Sequence, residues 1–209
     1  MERKIQNPDW AYLNKYKTEN EAIATSSSGE NQIVFFGDSI IAGWKTLNPE
    51  FFINKSYINR GINGQTTPQM LVRFRPDVIE LKPKLVIILA GTNDIAGNTG
   101  PVTLETILGN LISMCELAKV NNITAVLCSI LPAFDYPWRK GIQPAEKIAV
   151  LNTMIQLYAK ANDIAYVDFY SAMADEQKGL KSIYSEDRVH PNKKGYLIMK
   201  SILESTILM

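Results

Sequence analysis

The chain has 209 residues, 46% of them hydrophobic and 21% charged, with 22 basic and 21 acidic side chains and a formal net charge of +1. That length suits one domain with a sizeable core. The composition excludes wholesale disorder, the even charge balance excludes a nucleic-acid footprint, and no apolar run approaches the ~18 residues of a membrane-spanning helix, so stable membrane insertion is not expected.

Met1-Glu2-Arg3-Lys4 leads into polar residues, not into an apolar signal core. A cytoplasmic location is therefore the default expectation, with an exported protein whose signal has been removed as the alternative. Asn7-Pro8 offers a helix start, a capping residue followed by proline at the first helical position. Residues 1–30 are expected to form a helical extension packed on a single domain of residues 31–209. Strands are expected at 32–36 and 56–59. Thr67-Pro68 repeats the helix-start signal, and Pro76 is expected to break or kink the helix it opens. A third strand is expected at 85–90. Leu104, Ile107, Leu108, Leu111, Ile112 and Cys115 then recur at helical spacing. A fourth strand at 124–129, a helix marked by Ile148, Leu151, Ile155 and Tyr158, a fifth strand at 164–169 and a helix marked by Tyr196, Met199 and Leu203 complete the chain. The five runs are short and rich in Val, Ile and Phe, as strands covered on both faces are. Strand alternating with helix implies a three-layer α/β fold, a flavodoxin-like five-stranded parallel sheet with helices on both faces. Ligands bind such sheets beyond the carboxyl ends of the strands. The residues that follow each run are therefore the functional candidates.

After the first run, Gly37-Asp38-Ser39 places a serine at a strand end and a helix start, where backbone N–H groups face a developing negative charge. Position 41 is isoleucine, so this is not the Gly-x-Ser-x-Gly elbow of the α/β-hydrolases. Taken alone, Ser39 reads as a helix N-cap as readily as a nucleophile. After the second run, Gly61 and Gly64 allow positive φ and let an N–H point into a site, or simply make a turn. After the third, Gly91-Thr92-Asn93-Asp94 offers an uncharged amide donor in Asn93, or a capping asparagine. Asp187-Arg188-Val189-His190 sets a carboxylate three residues from the chain's one histidine. One ring nitrogen can then be held while the other serves as base; a surface histidine beside a charge is the plainer reading. One histidine excludes a multi-histidine metal centre. Two cysteines, Cys115 and Cys128, are too few for a disulfide framework and fit buried free thiols. Together the four sites supply nucleophile, base, orienting carboxylate and oxyanion donors, the set that acyl transfer needs.

In this order, from about residue 33 to 205, these blocks resemble the four sequence blocks of the SGNH (GDSL-type) hydrolases, with Ile40 where the name-giving motif has leucine. The resemblance is to the bacterial acylhydrolase and lysophospholipase-like members in particular, which are similar to the platelet-activating-factor acetylhydrolase type. It implies a carboxylic ester hydrolase with Ser39 as nucleophile, His190 as general base and acid, and Asp187 orienting it. The N–H groups of Ser39 and Gly64 and the Asn93 side chain would form the oxyanion hole, and no metal or organic cofactor would be needed. Candidate substrate contacts are Asp38, Trp44 and, from a segment at 131–144 that should overhang the site, Tyr136, Trp138 and Arg139; for Trp44, helix packing against the core is the stronger reading. Asp94 and Asp168 are expected to be structural acceptors. No long apolar insertion is available for a fatty chain, which favours a short acyl ester, acetyl above all, of a carbohydrate or small alcohol. A lysophospholipase or thioesterase is the alternative, and a non-catalytic carbohydrate-binding module on the same fold is the rival of another class. A small-molecule acyl ester is the expected partner, and a homo-oligomer stays open.

Overall fold

Val34-Phe35-Phe36 and Val86-Ile87-Ile88-Leu89 carry no polar alternation, so both of their faces must be covered. The computed structural model, which describes residues 8–25, 31–53 and 56–207, meets that demand. Five parallel strands, β1 (Ile33–Gly37), β2 (Tyr57–Gly61), β3 (Leu85–Leu89), β4 (Thr124–Cys128) and β5 (Ala165–Val167), lie in the order β2-β1-β3-β4-β5. Val34, Phe36, Val86 and Ile88 point to one face, where they meet α3 (Thr67–Asp77), α5 (Leu104–Val120) and α6 (Ala145–Ala161). Phe35, Ile87 and Leu89 point to the other, where they meet α2 (Ser39–Leu47), α7 (Phe169–Met173) and α8 (Lys193–Ile207). The chain passes from β1 to β2 on one side and returns to β3 on the other, so a crevice opens between the carboxyl ends of β1 and β3. Among the described residues no helix is long and apolar enough to cross a membrane.

Three local expectations need correction. Residues 8–16 are not helical: the Asp9 carboxylate accepts the N–H groups of Leu13 (2.6 Å) and Asn14 (2.9 Å) and closes a turn. The first helix, α1 (Lys17–Thr25), begins only after it. The remainder of the expected extension, residues 1–7 and 26–30, lies outside the described residues. The fifth strand is shorter than its apolar run, because Asp168 leaves the ladder to cap α7, accepting from Ser171 N–H at 3.0 Å. Trp44 does not line a pocket. It is fully buried, stacked between Phe51 (centroids 5.1 Å apart) and Tyr196 (5.6 Å), because the face of α2 that carries it packs on the sheet. Pro76 lies one residue before the end of α3, so the helix stops directly after the proline, as expected. Cys115 and Cys128 are buried free thiols.

Candidate active site

Ser39 opens α2 directly after β1. The Asp38 carboxylate caps that helix, accepting from Ile40 N–H at 2.9 Å. Gly61 lets α2 settle on the end of β2, since a Cβ there would lie 2.1 Å from Ala42 N. Ser39 Oγ is 2.9 Å from His190 Nε2, across 151 residues of sequence. On the far side of the ring, His190 Nδ1 is 2.6 Å from Asp187 Oδ2. Asp187 Oδ1 accepts from Ser185 Oγ (3.0 Å), Val189 N–H (2.9 Å) and His190 N–H (2.7 Å). Partial burial pushes the Asp187 carboxyl up, but the bonds from His190 and Val189 outweigh it and hold the group below its ordinary value. An ionised Asp187 favours the proton on Nδ1, which leaves Nε2 to accept from the serine hydroxyl.

The other side of Ser39 is a network that runs inward from the exposed Gly64 and Asn98 to the buried Asn93, Gln65 and Asp38. Gly64 sits at φ +74°, a left-handed position that glycine occupies without strain. Its carbonyl accepts from Asn98 Nδ2 at 3.1 Å, and the same nitrogen donates to Asn93 Oδ1 at 2.9 Å. Asn93 Nδ2 donates to Gln65 O (3.0 Å) and to Asp38 Oδ2 (3.3 Å). Arg73, itself buried, donates to the Gln65 side chain and to Gly37 O at 2.9 Å, tying the Gly64 loop to the end of β1. Asp94 accepts from Thr67 N–H and Thr67 Oγ1, the structural role expected of it. Burial pushes the Asp38 carboxyl up to about 7, against the Ile40 N–H bond and the nearby imidazole of His190.

Two clefts adjoin at this point. One, of about 780 Å³, is lined by Ser39, Ala42, Gly43, Thr46, Leu47 and His190 on one side and by Tyr12, Lys15 and Tyr16 on the other. The second, of about 580 Å³, is lined by Gly64, Asn98, Trp138 and Arg139, and shares Tyr12 and Asn63 with the first. Of the expected substrate contacts, Trp138 is 45% exposed with its ring centre 5.8 Å from that of His190. Arg139 reaches the cleft while donating to Ala96 O (2.5 Å) and Gly97 O (2.7 Å). Tyr136 and Asp38 are corrections: both are fully buried, so neither can touch a ligand. Tyr136 backs Trp138 (centroids 5.0 Å apart, 27° between planes), with its hydroxyl 3.0 Å from Thr92 Oγ1, and Asp38 serves α2 and Asn93. Tyr12, Lys15, Gln65, Arg73 and Asn98 were not expected here. Asn98 alone had a usable signal, lying in a Gly97-Asn98-Thr99-Gly100 turn just after the third block.

The GDSL-like lipase/acylhydrolase family model matches residues 35–198. Among solved structures, a GDSL-like lipase from Bacteroides thetaiotaomicron is 47% identical with a TM-score of 0.91, over 95% of this chain and 98% of that one. The esterase TesA of Pseudomonas aeruginosa is 25% identical over 181 residues, 81% of this chain and 84% of its own length. Axe2, an acetylxylan esterase from Geobacillus stearothermophilus, is 21% identical with a TM-score of 0.68, over 86% of this chain and 94% of that one, a likeness of fold. A further curated relative aligns over 85 residues, so that the chain spans 35% of its length.

Proposed function

The chain belongs to the GDSL-like lipase/acylhydrolase family and is an ester hydrolase, and from that premise we propose that it removes short acyl groups, acetyl above all, from a carbohydrate or small alcohol through a Ser39–His190–Asp187 triad. The observation that carries the reading is the unbroken relay from Ser39 Oγ to His190 Nε2 (2.9 Å) and from His190 Nδ1 to Asp187 Oδ2 (2.6 Å). Ser39 gives its proton to Nε2 as Oγ attacks the ester carbonyl carbon. Asp187 stabilises the imidazolium that forms. The tetrahedral oxyanion accepts from the N–H groups of Ser39 and Gly64 and from Asn93 Nδ2. Of the two hydrogens on that amide, the one directed at Asp38 Oδ2 makes the longer bond, 3.3 Å, and is the one a substrate oxygen can draw away. His190 then passes its proton to the leaving alcohol. Water attacks the acyl-enzyme by the same route and frees Ser39.

The cleft beside Ser39 supports a small acyl group. A Cβ on Gly43 would lie 2.6 Å from the Tyr196 hydroxyl, so the helix and that ring are in contact and an acyl chain does not pass between them. An exposed Trp138 beside the His190 ring supports a sugar as the alcohol, since a flat apolar ring face offers stacking to a pyranose. The shared fold with an acetylxylan esterase agrees with this reading without carrying it.

The test is product release from acetylated sugars, lysolipids and acyl thioesters, with Ser39→Ala as the blank. Acetate from the acetylated sugars should appear fastest, and Ser39→Ala should release nothing above background. Faster release of long acids from lysolipids or thioesters overturns the substrate assignment. Activity retained by Ser39→Ala overturns the triad, and ligand binding without any hydrolysis makes the protein a binding module.

A further inference from the structure

Residues 9–16 cross the carboxyl-end rim of the sheet as a strap and are fastened to the loops of the site. Gln65 Nε2 donates to Ala11 O (2.9 Å), Gln69 Nε2 donates to Trp10 O (2.7 Å), and the Tyr16 hydroxyl donates to Gly61 O (2.5 Å). Asp9 closes the strap into a turn through Leu13 and Asn14. Tyr12 stands in that turn at φ +58°. The other non-glycine residues at positive φ are Asn31, Lys82, Asn122, Gln143, Asp163, Lys178 and Arg188, so Tyr12 is the aromatic exception among the described residues. A bulky side chain in this region is a backbone outlier, of a kind that persists where its surroundings over-determine it. Its ring is nonetheless 42% exposed and lines both clefts.

We infer that Tyr12 is a specificity-determining residue, lining one cleft with Trp138 to form a subsite for the ring of a pyranose alcohol; the inference rests on the esterase reading above. Both rings are exposed, and both are anchored from behind. The strap holds Tyr12 through the buried side chains of Gln65 and Gln69, and the buried Tyr136 ring holds Trp138. Anchored, exposed aromatic faces on a cleft cost little ordering when a ligand ring arrives. The cleft they share, about 580 Å³, is of small-ligand size. Its other lining side chains are the neutral Asn63, Gln69, Asn98 and Thr99, hydrogen-bonding groups suited to sugar hydroxyls, and Arg139, whose guanidinium is held by Ala96 O and Gly97 O. The proton-transfer relay uses neither ring, so their contribution falls on binding and not on the chemical step.

The test compares Tyr12→Ala, Tyr12→Phe and wild type on an acetylated methyl xyloside and on ethyl acetate, which has no ring, with acid release followed by titration. Tyr12→Ala should raise KM for the xyloside about tenfold with kcat within about threefold. Its kcat/KM on ethyl acetate should stay within about threefold of wild type, and Tyr12→Phe should restore the xyloside KM. Should Tyr12→Ala fail to fold, Tyr12→Gly removes the ring while fitting the left-handed backbone, and the same readout applies to it. An unchanged xyloside KM overturns the inference. So does an equal loss on both esters, which would make the strap a mere support of the Gly64 loop. If wild type cleaves acetylated pyranosides and the Tyr12 variants match it, only the subsite falls. If wild type cleaves ring-free acyl esters but no acetylated pyranoside, the sugar reading falls and takes the subsite with it.

Discussion

The two sides of Ser39 are built by opposite strategies. On the His190 side, the His190 and Asp187 side chains are 39% and 40% exposed, and Asp187 is held by partners no more than three residues away. On the Asn93 side, Asp38, Gln65 and Asn93 are each at most 3% exposed, and their bonds join β1, the loop after β2, α3 and the short helix α4 (Thr92–Ile95). The difference follows the work proposed for each side. A proton carrier must meet alcohol and water in turn, so it sits on a local loop at the surface. Groups that stabilise a developing charge act best when already fixed, so they are tied into the interior. Substitutions on the first side should therefore cost rate alone, and substitutions on the second should cost rate and stability together.

The largest effect expected is on the exposed side. Ser39→Ala or His190→Ala should lower kcat on an acetyl ester by about 10⁶-fold, with the thermal midpoint close to that of wild type. Asp187→Asn should cost about 10⁴-fold, because the amide favours the wrong tautomer of His190. Should Asp187→Asn keep a tenth of the wild-type rate, the proposed division of labour breaks. Next comes Asn93→Ala, expected to lower kcat by about 10² to 10³-fold. It also strips Gln65 O, Asp38 Oδ2 and Asn98 Nδ2 of a partner, so denaturant unfolding should show a loss of about 1–3 kcal/mol. A rate loss with full stability would erase the contrast between the two sides.

Asp38 sharpens the comparison through pH. Burial raises its carboxyl from 3.8 to about 7, so folding favours the protonated form. The stability this confers is full below the unfolded value and is lost as pH rises through the folded one. Between about pH 4 and about pH 7, wild type should therefore lose stability relative to Asp38→Asn as pH rises, measured by thermal unfolding of both proteins. A constant difference across that window would contradict an interior Asp38 of this kind. The smallest effect belongs to Trp138→Ala, which should raise KM for an acetylated sugar by about threefold to tenfold with little change in kcat; a fall in kcat instead would assign Trp138 to the position of His190.

What could be read in advance follows the same division. The strands were legible because Val34-Phe35-Phe36 and Val86-Ile87-Ile88-Leu89 need cover on both faces, whatever lies around them. Ser39, Asn93, Asp187 and His190 were legible as candidates because their residue types fall just after strands or within one turn of each other. Trp44 and Tyr136 misled, because an aromatic near a motif looks the same whether it faces a cleft or the sheet; packing on Phe51 and Tyr196, or beneath Trp138, decides it. Asp38 misled for a related reason, since a carboxylate next to a serine can cap a helix inward as easily as reach outward. The strap was illegible because what holds it is far away in sequence: Gln65 bonds Ala11 from 54 residues off and Gln69 bonds Trp10 from 59. Asn7-Pro8 pointed to a helix there, and Asp9 closed a turn instead.

The central claim is that the relay through His190 makes Ser39 the nucleophile, and covalent trapping tests it most directly. Wild type treated with a serine-directed phosphonate and analysed by peptide mass spectrometry should carry one adduct, on Ser39, in step with loss of esterase activity, and His190→Ala should label far more slowly. An adduct on another residue with Ser39 unmodified and activity gone, or labelling of Ser39 at the same rate in His190→Ala, would contradict the account.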